Sequence, residues 1–266
     1  MGSKKSLNSR RFMNKLKAII LAAGLGSRLG KLTENIPKCM LKICDQSLIE
    51  RQVKILRYCG INDITIVTGY KNNKIDISDV NYIKNENYRT TNINESLFCA
   101  LELSDSQILV SYSDIIFDEK IIQHLLNSGN GITLAVNLNW RDNYQNRQMH
   151  PSSEAENVLL QDSKIIKIKK NITDLSLEQK IGEFLGLLVM SPESVKIMLE
   201  KHDKLKKNHV GPFQNASSLS EAYLTDMVQE LIDCGTAVTA LITNEKWCEI
   251  DTNEDIERAK RIFQKF

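Results

Sequence analysis

Short apolar runs alternate with amphipathic stretches along the first half of the chain. The apolar runs are rich in β-branched residues and end at glycine or polar residues, which is typical of buried strands in a parallel sheet. The stretches between them repeat apolar residues at a spacing typical of helices packed on such a sheet. Predicted strands cover residues 17–22, 64–68, 107–112 and 132–137, and predicted helices cover 47–59, 94–103 and 119–126.

The second half of the chain mixes the two patterns less regularly. Lysine and isoleucine alternate over residues 164–170, which predicts a strand with one solvated face, paired in a hairpin with residues 158–160. Pro192 is expected to open a helix that runs to Lys201, and residues 204–220 are expected to form a loop. Further predicted strands cover 182–190, 237–242 and 246–250, and further predicted helices cover 219–234 and 253–266.

This order of elements favours an α/β fold with a doubly wound, Rossmann-like mixed sheet and a smaller α+β insertion. Residues 17–138 form its predicted core. In such sheets, ligands bind beyond the carboxyl ends of the strands. The loop at Gly24 and the carboxylate of Asp114 each follow a predicted strand, so we expect them to lie close together although they are far apart in the chain.

Composition narrows the classes of function. The 266 residues include 35 basic and 33 acidic side chains, a balance unlike the strong basic excess of a nucleic-acid-binding protein. Apolar runs are too short for a membrane span. The cysteines form no C-x-x-C pair and the histidines no H-E-x-x-H pattern, so a zinc site is not expected. Reduced thiols and the lack of an apolar secretion signal favour a cytoplasmic protein.

The segment LAAGLGSRL carries the strongest chemical signal. Gly24 and Gly26 let the backbone approach a ligand closely, and successive amides in such a loop can bind phosphate oxygens. Arg28 and the later Lys38 would offset phosphate charge. A dinucleotide-binding loop would need a third glycine where this chain has Leu29. The segment therefore predicts a triphosphate site, the alternative being an ordinary tight turn between strand and helix.

The segment LAAGLGSRL, with the later Pro37-Lys38, resembles the opening of the nucleotidylyltransferase family. Members of this family join a nucleoside triphosphate to a phosphorylated acceptor and release pyrophosphate. Within the family, the chain most resembles cytidylyltransferases that act on phosphocholine or on phosphonates such as 2-aminoethylphosphonate. Ser27 and Lys31 stand where many sugar-1-phosphate enzymes have Thr and Pro. The resemblance continues in YRTTNINESL at 88–97, Ser113-Asp114, Arg147, His150-Pro151, EAE at 154–156, GEFLG at 182–186, AYLTD at 222–226 and WCEIDT at 247–252.

The resemblance implies a role for each matching residue. Arg28 and Lys38 would be catalytic, and Asp114 and Asp251 would bind magnesium, with Glu249 as a further candidate ligand. The nucleotide, expected to be CTP, would be bound by Leu21, Ala22, Ala23, Gly24, Gly26, Ser27, Thr91, Asn92 and Ser113. The acceptor would be bound by Trp140, Arg147, Glu183, Tyr223 and Asp226.

Magnesium at Asp114 and Asp251 also has a physical rationale. A triphosphate repels an anionic acceptor, and a bridging cation reduces that repulsion. Magnesium prefers oxygen ligands and commonly takes only one or two protein carboxylates. Glu249 lies two residues before Asp251, so on a strand both side chains point to the same face. The alternatives are that Asp114 is a solvated turn residue and that Asp251 caps a helix.

Two competing sets of side chains bear on the acceptor's head group. A trimethylammonium group requires aromatic faces, whereas a primary ammonium requires carboxylate or carbonyl acceptors. The acids are Asp142, Glu154, Glu156, Glu183 and Asp226, and the aromatic residues are Trp140, Tyr144, Phe184 and Tyr223. The excess of acids favours 2-aminoethylphosphonate first and phosphocholine second. A sugar-1-phosphate, a phosphorylated amino acid or amide, and a nucleotide-binding regulatory domain without turnover are the alternatives.

Residues 17–266 are expected to form one nucleotidylyltransferase domain. Its predicted parts are a nucleotide-binding core at 17–138, an acceptor-binding part at 139–245, and a closing metal motif and helix at 246–266. Residues 1–16 are expected to be a leader or a tag without fixed structure, although MGSKKS formally matches a myristoylation pattern. The expected cofactor is Mg²⁺, and the expected partners are CTP and a small phosphonate or phosphate acceptor, without nucleic acid or a membrane.

Overall fold

A computed structural model describes residues 15–129, 131–145, 147–173 and 175–263. Most of the predicted leader and the end of the predicted C-terminal helix lie outside these residues. The helices are α1 Leu48–Tyr58, α2 Ile93–Ala100, α3 Glu119–Leu126, α4 Pro192–Asn208, α5 Leu224–Asp233 and α6 Asn253–Phe263. The strands are β1 Leu16–Ala22, β2 Lys42–Ile43, β3 Gln46–Ser47, β4 Asp63–Thr68, β5 Asn81–Lys84, β6 Gln107–Tyr112, β7 Ile115–Phe117, β8 Ile132–Asn137, β9 Glu156–Gln161, β10 Lys164–Lys170, β11 Gln179–Met190, β12 Val238–Ile242 and β13 Trp247–Glu249.

A mixed sheet organises the described residues, in the strand order β5-β4-β1-β6-β11-β8-β12-β10-β9. Strands β5, β4, β1 and β6 are parallel to one another, and β12 is parallel to β8. Strand β11 runs antiparallel to both β6 and β8. The predicted α/β class with a mixed sheet is therefore confirmed.

Helices cover both faces of the sheet. Apolar residues of α2, α4 and α5 pack on one face, and those of α1 and α3 pack on the other. Helix α6 joins a smaller cluster formed with Leu29, Ile116 and Ile250, which places it beside the loop after β1. None of the helices in the described ranges is long and apolar enough to cross a bilayer.

Strand β11, from the second half of the chain, lies among the strands of the core predicted at residues 17–138. Here β11 separates β6 from β8, because its residues 183–190 are buried and its backbone pairs on both sides. Both β8 and β11 are apolar enough to lie beside β6, and their order along the chain does not determine which of them pairs with it.

Helix α4 is longer than predicted and extends through part of the segment expected to be a loop. The ring of His202 stacks on Phe98 of α2 with ring centroids 3.5 Å apart. The Nε2 atom of His202 lies 2.7 Å from Glu95 Oε1. These contacts hold the second half of α4 against α2, which a sequence rich in lysine did not indicate. The helix predicted at 219–234 begins only at Leu224, after a short 3₁₀ turn at Leu219–Glu221.

Three neighbouring strands end at the same edge of the sheet. Ala22 of β1 is in register with Thr68 of β4, and Leu21 is in register with Tyr112 of β6. The loops that follow these strands therefore meet, as expected for ligand binding in an open α/β sheet.

Gly69 follows β4 and packs closely against Ala23 in the loop after β1. Substitution of Gly69 tests whether this close packing is required. A Cβ atom at Gly69 would lie 2.6 Å from Ala23 O and 2.7 Å from Tyr88 Cβ. Backbone must move to relieve the first clash, so we expect Gly69→Ala to lower the free energy of unfolding by about 1–3 kcal/mol and to raise KM for the nucleotide. Urea denaturation and initial rates measure both. Gly60→Ala is the control for KM: at φ 87° an alanine is also strained and should lower stability, but Gly60 lies away from the cleft, so KM for the nucleotide should stay unchanged. An unchanged KM in Gly69→Ala contradicts the prediction.

Candidate active site

A cleft of about 590 Å³ lies at the carboxyl ends of β1 and β6. Its volume falls in the range typical of small-molecule sites. All nine residues predicted to bind the nucleotide line it, together with Arg28, Lys38, Asp114, Tyr223 and Asp251. The fold therefore brings the glycine loop and the two candidate metal aspartates to one cleft.

The glycine loop, residues 23–28, packs closely against the side chain of Lys38 at Gly26. Gly26 has φ 64°, and a Cβ atom on it would lie 3.0 Å from Lys38 Cβ. The Thr33 hydroxyl donates a hydrogen bond of 2.8 Å to the Gly26 carbonyl. A glycine at this position thus allows both the left-handed backbone and the close approach of Lys38.

Lys38 lies between two carboxylates at the centre of the cleft. Its Nζ atom donates to Asp114 Oδ2 at 2.7 Å and also to Asp251 Oδ1. Burial alone would lower the pKa of Lys38, but Asp114 and Asp251 outweigh it and hold the pKa above its usual value. Lys38 therefore remains a cation at neutral pH.

Asp251 lies against three nitrogen-bearing side chains, those of Lys38, Arg28 and His150. Arg28 donates from a guanidinium nitrogen to Asp251 Oδ2 at 2.6 Å, and His150 Nδ1 lies 2.9 Å from the same oxygen. Burial alone would raise the pKa of Asp251, but His150, Lys38 and Arg28 outweigh it and hold the pKa well below its usual range. Burial raises the pKa of neighbouring Glu249, and the negative charges of Asp251 and Asp114 raise it further.

The oxygen atoms of this centre suit a hard divalent cation. Asp114 Oδ1 is buried and has no hydrogen-bond partner in the described part of the chain. A buried carboxylate oxygen without a partner is costly, and a bound cation would compensate it. Asp251 and Glu249 supply further oxygens within 4.8 Å of one another and of a nitrogen of His150.

Asp255 fixes the loop that carries Asp251. Its Oδ2 atom accepts hydrogen bonds from the backbone N–H of Asp251 at 3.0 Å and of Thr252 at 2.8 Å. Its Oδ1 atom lies 2.8 Å from Nε of Arg147. The alternative role considered for Asp251 was to cap this helix, but Asp255 makes the contacts at the start of α6. The side chain of Asp251 points to Lys38 and Arg28 instead.

We expect Asp255→Asn to lower the free energy of unfolding by about 3 kcal/mol, because it leaves the buried Arg147 without its charge partner. Urea denaturation followed by circular dichroism measures this. Glu257→Gln on the same helix is the matched control, because its partner Lys260 is a surface residue at 2.7 Å and such pairs contribute little. Equal effects of the two substitutions would contradict the prediction.

A second, much smaller cavity of about 30 Å³ adjoins the cleft and shares Tyr112 with it. Four glutamates line it, Glu154, Glu156, Glu183 and Glu249, together with Tyr112, Tyr144, Phe184 and Trp247 among others. Burial raises the pKa of both Glu156 and Glu183 to about 7. The hydroxyl of Tyr144 donates to Glu183 Oε1, whereas Glu183 Oε2 is buried without a partner among the described residues.

The remaining residues predicted to bind the acceptor lie at different depths. Tyr223 lines the large cleft, with the Nζ atom of Lys170 5.0 Å above its ring. Asp226 is buried and accepts a hydrogen bond of 2.8 Å from the backbone N–H of Tyr223. Trp140 is buried and donates from its indole N–H to the Ile181 carbonyl at 3.2 Å. Trp140, Arg147 and Asp226 line neither the large cleft nor the glutamate-lined cavity, so their roles stay predictions.

The sequence counted Glu156 and Tyr144 among the acids and aromatic residues of the acceptor segments but gave neither a specific role, and it gave His150 no role beyond the family resemblance. His150 and Glu156 lie in segments that carry the family resemblance, but nothing in their spacing indicates a shared site with Glu249 and Asp251. Glu154 and Glu156 are two residues apart, a spacing that puts both side chains on one face of an extended chain. This spacing was the available sequence signal that Glu156 shares a site with Glu154.

A model of the MobA-like NTP transferase domain matches residues 18–160. The chain belongs to this family. The nucleotidyltransferase is 28% identical over 255 residues to CTP:phosphoglutamine cytidylyltransferase from Campylobacter jejuni, a match that covers 91% of this chain and 98% of that protein. It is 29% identical over 116 residues to 2-aminoethylphosphonate cytidylyltransferase from Lancefieldella rimae, covering 41% of this chain and 47% of that protein.

A solved structure of CTP:phosphocholine cytidylyltransferase from Streptococcus pneumoniae is also similar to this nucleotidyltransferase. The TM-score is 0.71 at 25% sequence identity, and the match covers 93% of this chain and 99% of that one. The resemblance to cytidylyltransferases that the sequence motifs predicted is therefore confirmed.

Proposed function

We propose that the protein transfers CMP from CTP to a small acceptor that carries a phosphonate or phosphate and a primary ammonium group, and releases pyrophosphate. The first-choice acceptor is 2-aminoethylphosphonate. Support comes from the family, from the cytidylyltransferases among the relatives, and from the charge and size of the two cavities.

The triphosphate would lie on the glycine loop. Backbone N–H groups of residues 23–28 and the cations of Arg28 and Lys38 would hold its oxygens. Thr91, Asn92 and Ser113 line the same cleft and would contact the nucleoside.

Magnesium is the proposed cofactor, held by oxygens of Asp114 and Asp251 with Glu249 as a further ligand. The unpartnered Asp114 Oδ1 is the observation that supports the fit. When bound, magnesium would offset the negative charge of the phosphates.

The acceptor oxygen attacks the α-phosphorus in line. The new bond joins this oxygen to phosphorus, the bond to the bridging oxygen breaks, and pyrophosphate leaves with the electron pair. The acceptor oxygen is already anionic near neutral pH, so no residue needs to remove a proton. Lys38 and Arg28 stabilise the charge that develops, and Asp255 holds the loop that positions Asp251.

The small glutamate-lined cavity is the observation that carries the choice of acceptor. Its volume of about 30 Å³ exceeds the roughly 10–15 Å³ of accessible space that one water molecule needs, so a group of that size fits. An ammonium group is close to that size, whereas a trimethylammonium group is several times larger. The free Glu183 Oε2 atom accepts a hydrogen bond, which an ammonium donates and a trimethylammonium does not.

A pyrophosphate-release screen tests the proposal. The purified protein is assayed with CTP, UTP, ATP and GTP against 2-aminoethylphosphonate, phosphocholine, phosphoglutamine and glucose-1-phosphate. We expect the highest kcat/KM for CTP with 2-aminoethylphosphonate. Comparable turnover of another triphosphate would overturn the nucleotide assignment, and a preference for phosphocholine or glucose-1-phosphate would overturn the acceptor assignment.

Phosphoglutamine is the second candidate acceptor. The match to CTP:phosphoglutamine cytidylyltransferase covers 98% of that protein, whereas the match to the 2-aminoethylphosphonate enzyme covers 47% of that one. Glutamine also carries a primary ammonium, so the same cavity would suit it. A higher kcat/KM for phosphoglutamine in the screen would decide for this candidate.

Glu183→Gln is expected to raise KM for 2-aminoethylphosphonate by about 10- to 100-fold, because the amide cannot form the charge-assisted hydrogen bond to the ammonium. KM for CTP should change little. Initial rates over an acceptor series measure both constants. Asp142→Asn is the control, because Asp142 is an exposed acid of the same predicted acceptor segment that does not line the cavity.

The same substitution gives a pH test. Glu183 with a pKa of about 7 is protonated below that pH and ionised above it. Acceptor binding should therefore improve as the pH rises from 6 to 8, and the ratio of KM values, Glu183→Gln over the unaltered protein, should grow over this range. A constant ratio would show that ionised Glu183 does not hold the acceptor.

A further inference from the structure

His150 lies buried beside two carboxylates of the candidate metal centre without a hydrogen bond that explains it. The residue is 3% exposed. Its Nδ1 atom lies 2.9 Å from Asp251 Oδ2, and its Nε2 atom lies 3.9 Å from Glu249 Oε2. Although this contact is short, Nδ1 is buried and has no hydrogen-bond partner among the described residues. One ligand atom from each of His150, Glu249 and Asp251 lies within 4.8 Å of the others.

The rest of the structure holds His150 in this place. The preceding Arg147 pairs with buried Asp255 at 2.8 Å, and the backbone N–H of Gln148 donates to Glu254 Oε2 at 3.1 Å. The segment before β9 is thereby attached to the start of α6, next to the loop of Asp251. Two chain regions far apart in sequence thus present an imidazole and two carboxylates to one point.

The neighbouring cations of Lys38 and Arg28 leave room for a metal ion between His150, Glu249 and Asp251 Oδ2. Lys38 contacts Asp251 Oδ1, whereas His150 and Arg28 approach Oδ2. The side chain of Arg28 is 53% exposed and can turn towards solvent, while Lys38 keeps its own oxygen. A cation at Asp251 Oδ2 would therefore replace Arg28 and need not displace Lys38.

We infer that His150 is a ligand, with Glu249 and Asp251, of the divalent cation in this site, and that the site without nucleotide binds a transition ion such as Mn²⁺ or Co²⁺ more tightly than Mg²⁺. Magnesium prefers oxygen ligands only, whereas an imidazole nitrogen increases the affinity for first-row transition ions. The inference deepens the proposed function, since it concerns the same site, but it is tested without CTP or acceptor.

Isothermal titration of the nucleotide-free protein with Mn²⁺, Co²⁺ and Mg²⁺ is the first experiment. We expect Mn²⁺ to bind about tenfold or more tightly than Mg²⁺, and His150→Gln to lose about tenfold or more of the Mn²⁺ affinity while its Mg²⁺ affinity changes less. His202→Gln is the matched control, because His202 is equally buried and also contacts a glutamate, yet lies outside the cluster. Equal affinities for the two ions, or an unchanged Mn²⁺ affinity in His150→Gln, would overturn the inference.

Electron spin echo envelope modulation of the Mn²⁺-loaded, unaltered protein is the second experiment, and it stands even if His150→Gln fails to fold. A bound imidazole gives nitrogen modulation, which should be present in the unaltered protein and in His202→Gln. Absence of this modulation overturns the inference. Neither result depends on catalysis, whereas the proposed function is judged by pyrophosphate release with the triphosphates and acceptors of the screen at saturating Mg²⁺, so the two failures are distinguishable.

Discussion

Asp251→Ala is expected to lower kcat by about 100-fold or more while leaving the fold intact, because the loss of a charged ligand removes transition-state stabilisation of several kcal/mol. Asp251 contacts Lys38, Arg28 and His150, so its removal would take away a proposed metal ligand and would also release the cations of Lys38 and Arg28, proposed to be catalytic, from their fixed positions. Asp114→Ala should have an effect of the same order, since Asp114 holds Lys38 from the other side. Pyrophosphate release at a series of Mg²⁺ concentrations measures both.

The control for Asp251→Ala is Asp105→Ala, an exposed aspartate just before β6. Circular dichroism should be the same for both variants and for the unaltered protein, because the contacts at the start of α6 come from Asp255 and remain in place. Near-native activity of Asp251→Ala at low Mg²⁺ would show that Asp251 is not a ligand of the catalytic cation.

The core strands and the nucleotide cleft were predictable because the signals are local. Apolar runs ending at Ala22, Thr68 and Tyr112 identify strands, and a parallel arrangement brings the loops that follow them together without any knowledge of distant contacts. The glycine loop needed only Gly24 and Gly26 with the cations that follow.

The acceptor side was less predictable because its residues come from separate elements. Glu183 lies on β11, whose place between β6 and β8 depends on competition between apolar strands. Glu156 lies on β9, which pairs with β11 as well as with β10. The pairing of β9 with β11 brings the two buried glutamates to one cavity, and no pattern in the sequence indicates that these two strands pair. His150 was overlooked for the same reason, since its partners Glu249 and Asp251 follow much later in the chain.

Replacement of Lys38 by methionine should have the largest effect on catalysis, a loss of about 100- to 1,000-fold in kcat, the magnitude found when one charge-stabilising donor of a transition state is removed. Methionine keeps most of the volume of the buried side chain, so the cleft should keep its shape. Lys42→Met is the control, because Lys42 is an exposed lysine on the nearby β2. Equal kcat values for the two variants would contradict a catalytic role of Lys38.

A second readout separates this role from a merely structural one. In the nucleotide-free protein the ammonium of Lys38 bonds to one oxygen each of Asp114 and Asp251 and so reduces the negative charge that attracts a divalent cation to their other oxygens. Lys38→Met should therefore bind Mg²⁺ more tightly than the unaltered protein although it catalyses more slowly, because two carboxylates are left without their cation. Thermal unfolding with and without Mg²⁺ measures this as a larger rise in Tm for the variant. A smaller rise in Tm together with low kcat would mean that Lys38 chiefly holds the two aspartates in place, and that the loss of activity follows from their displacement.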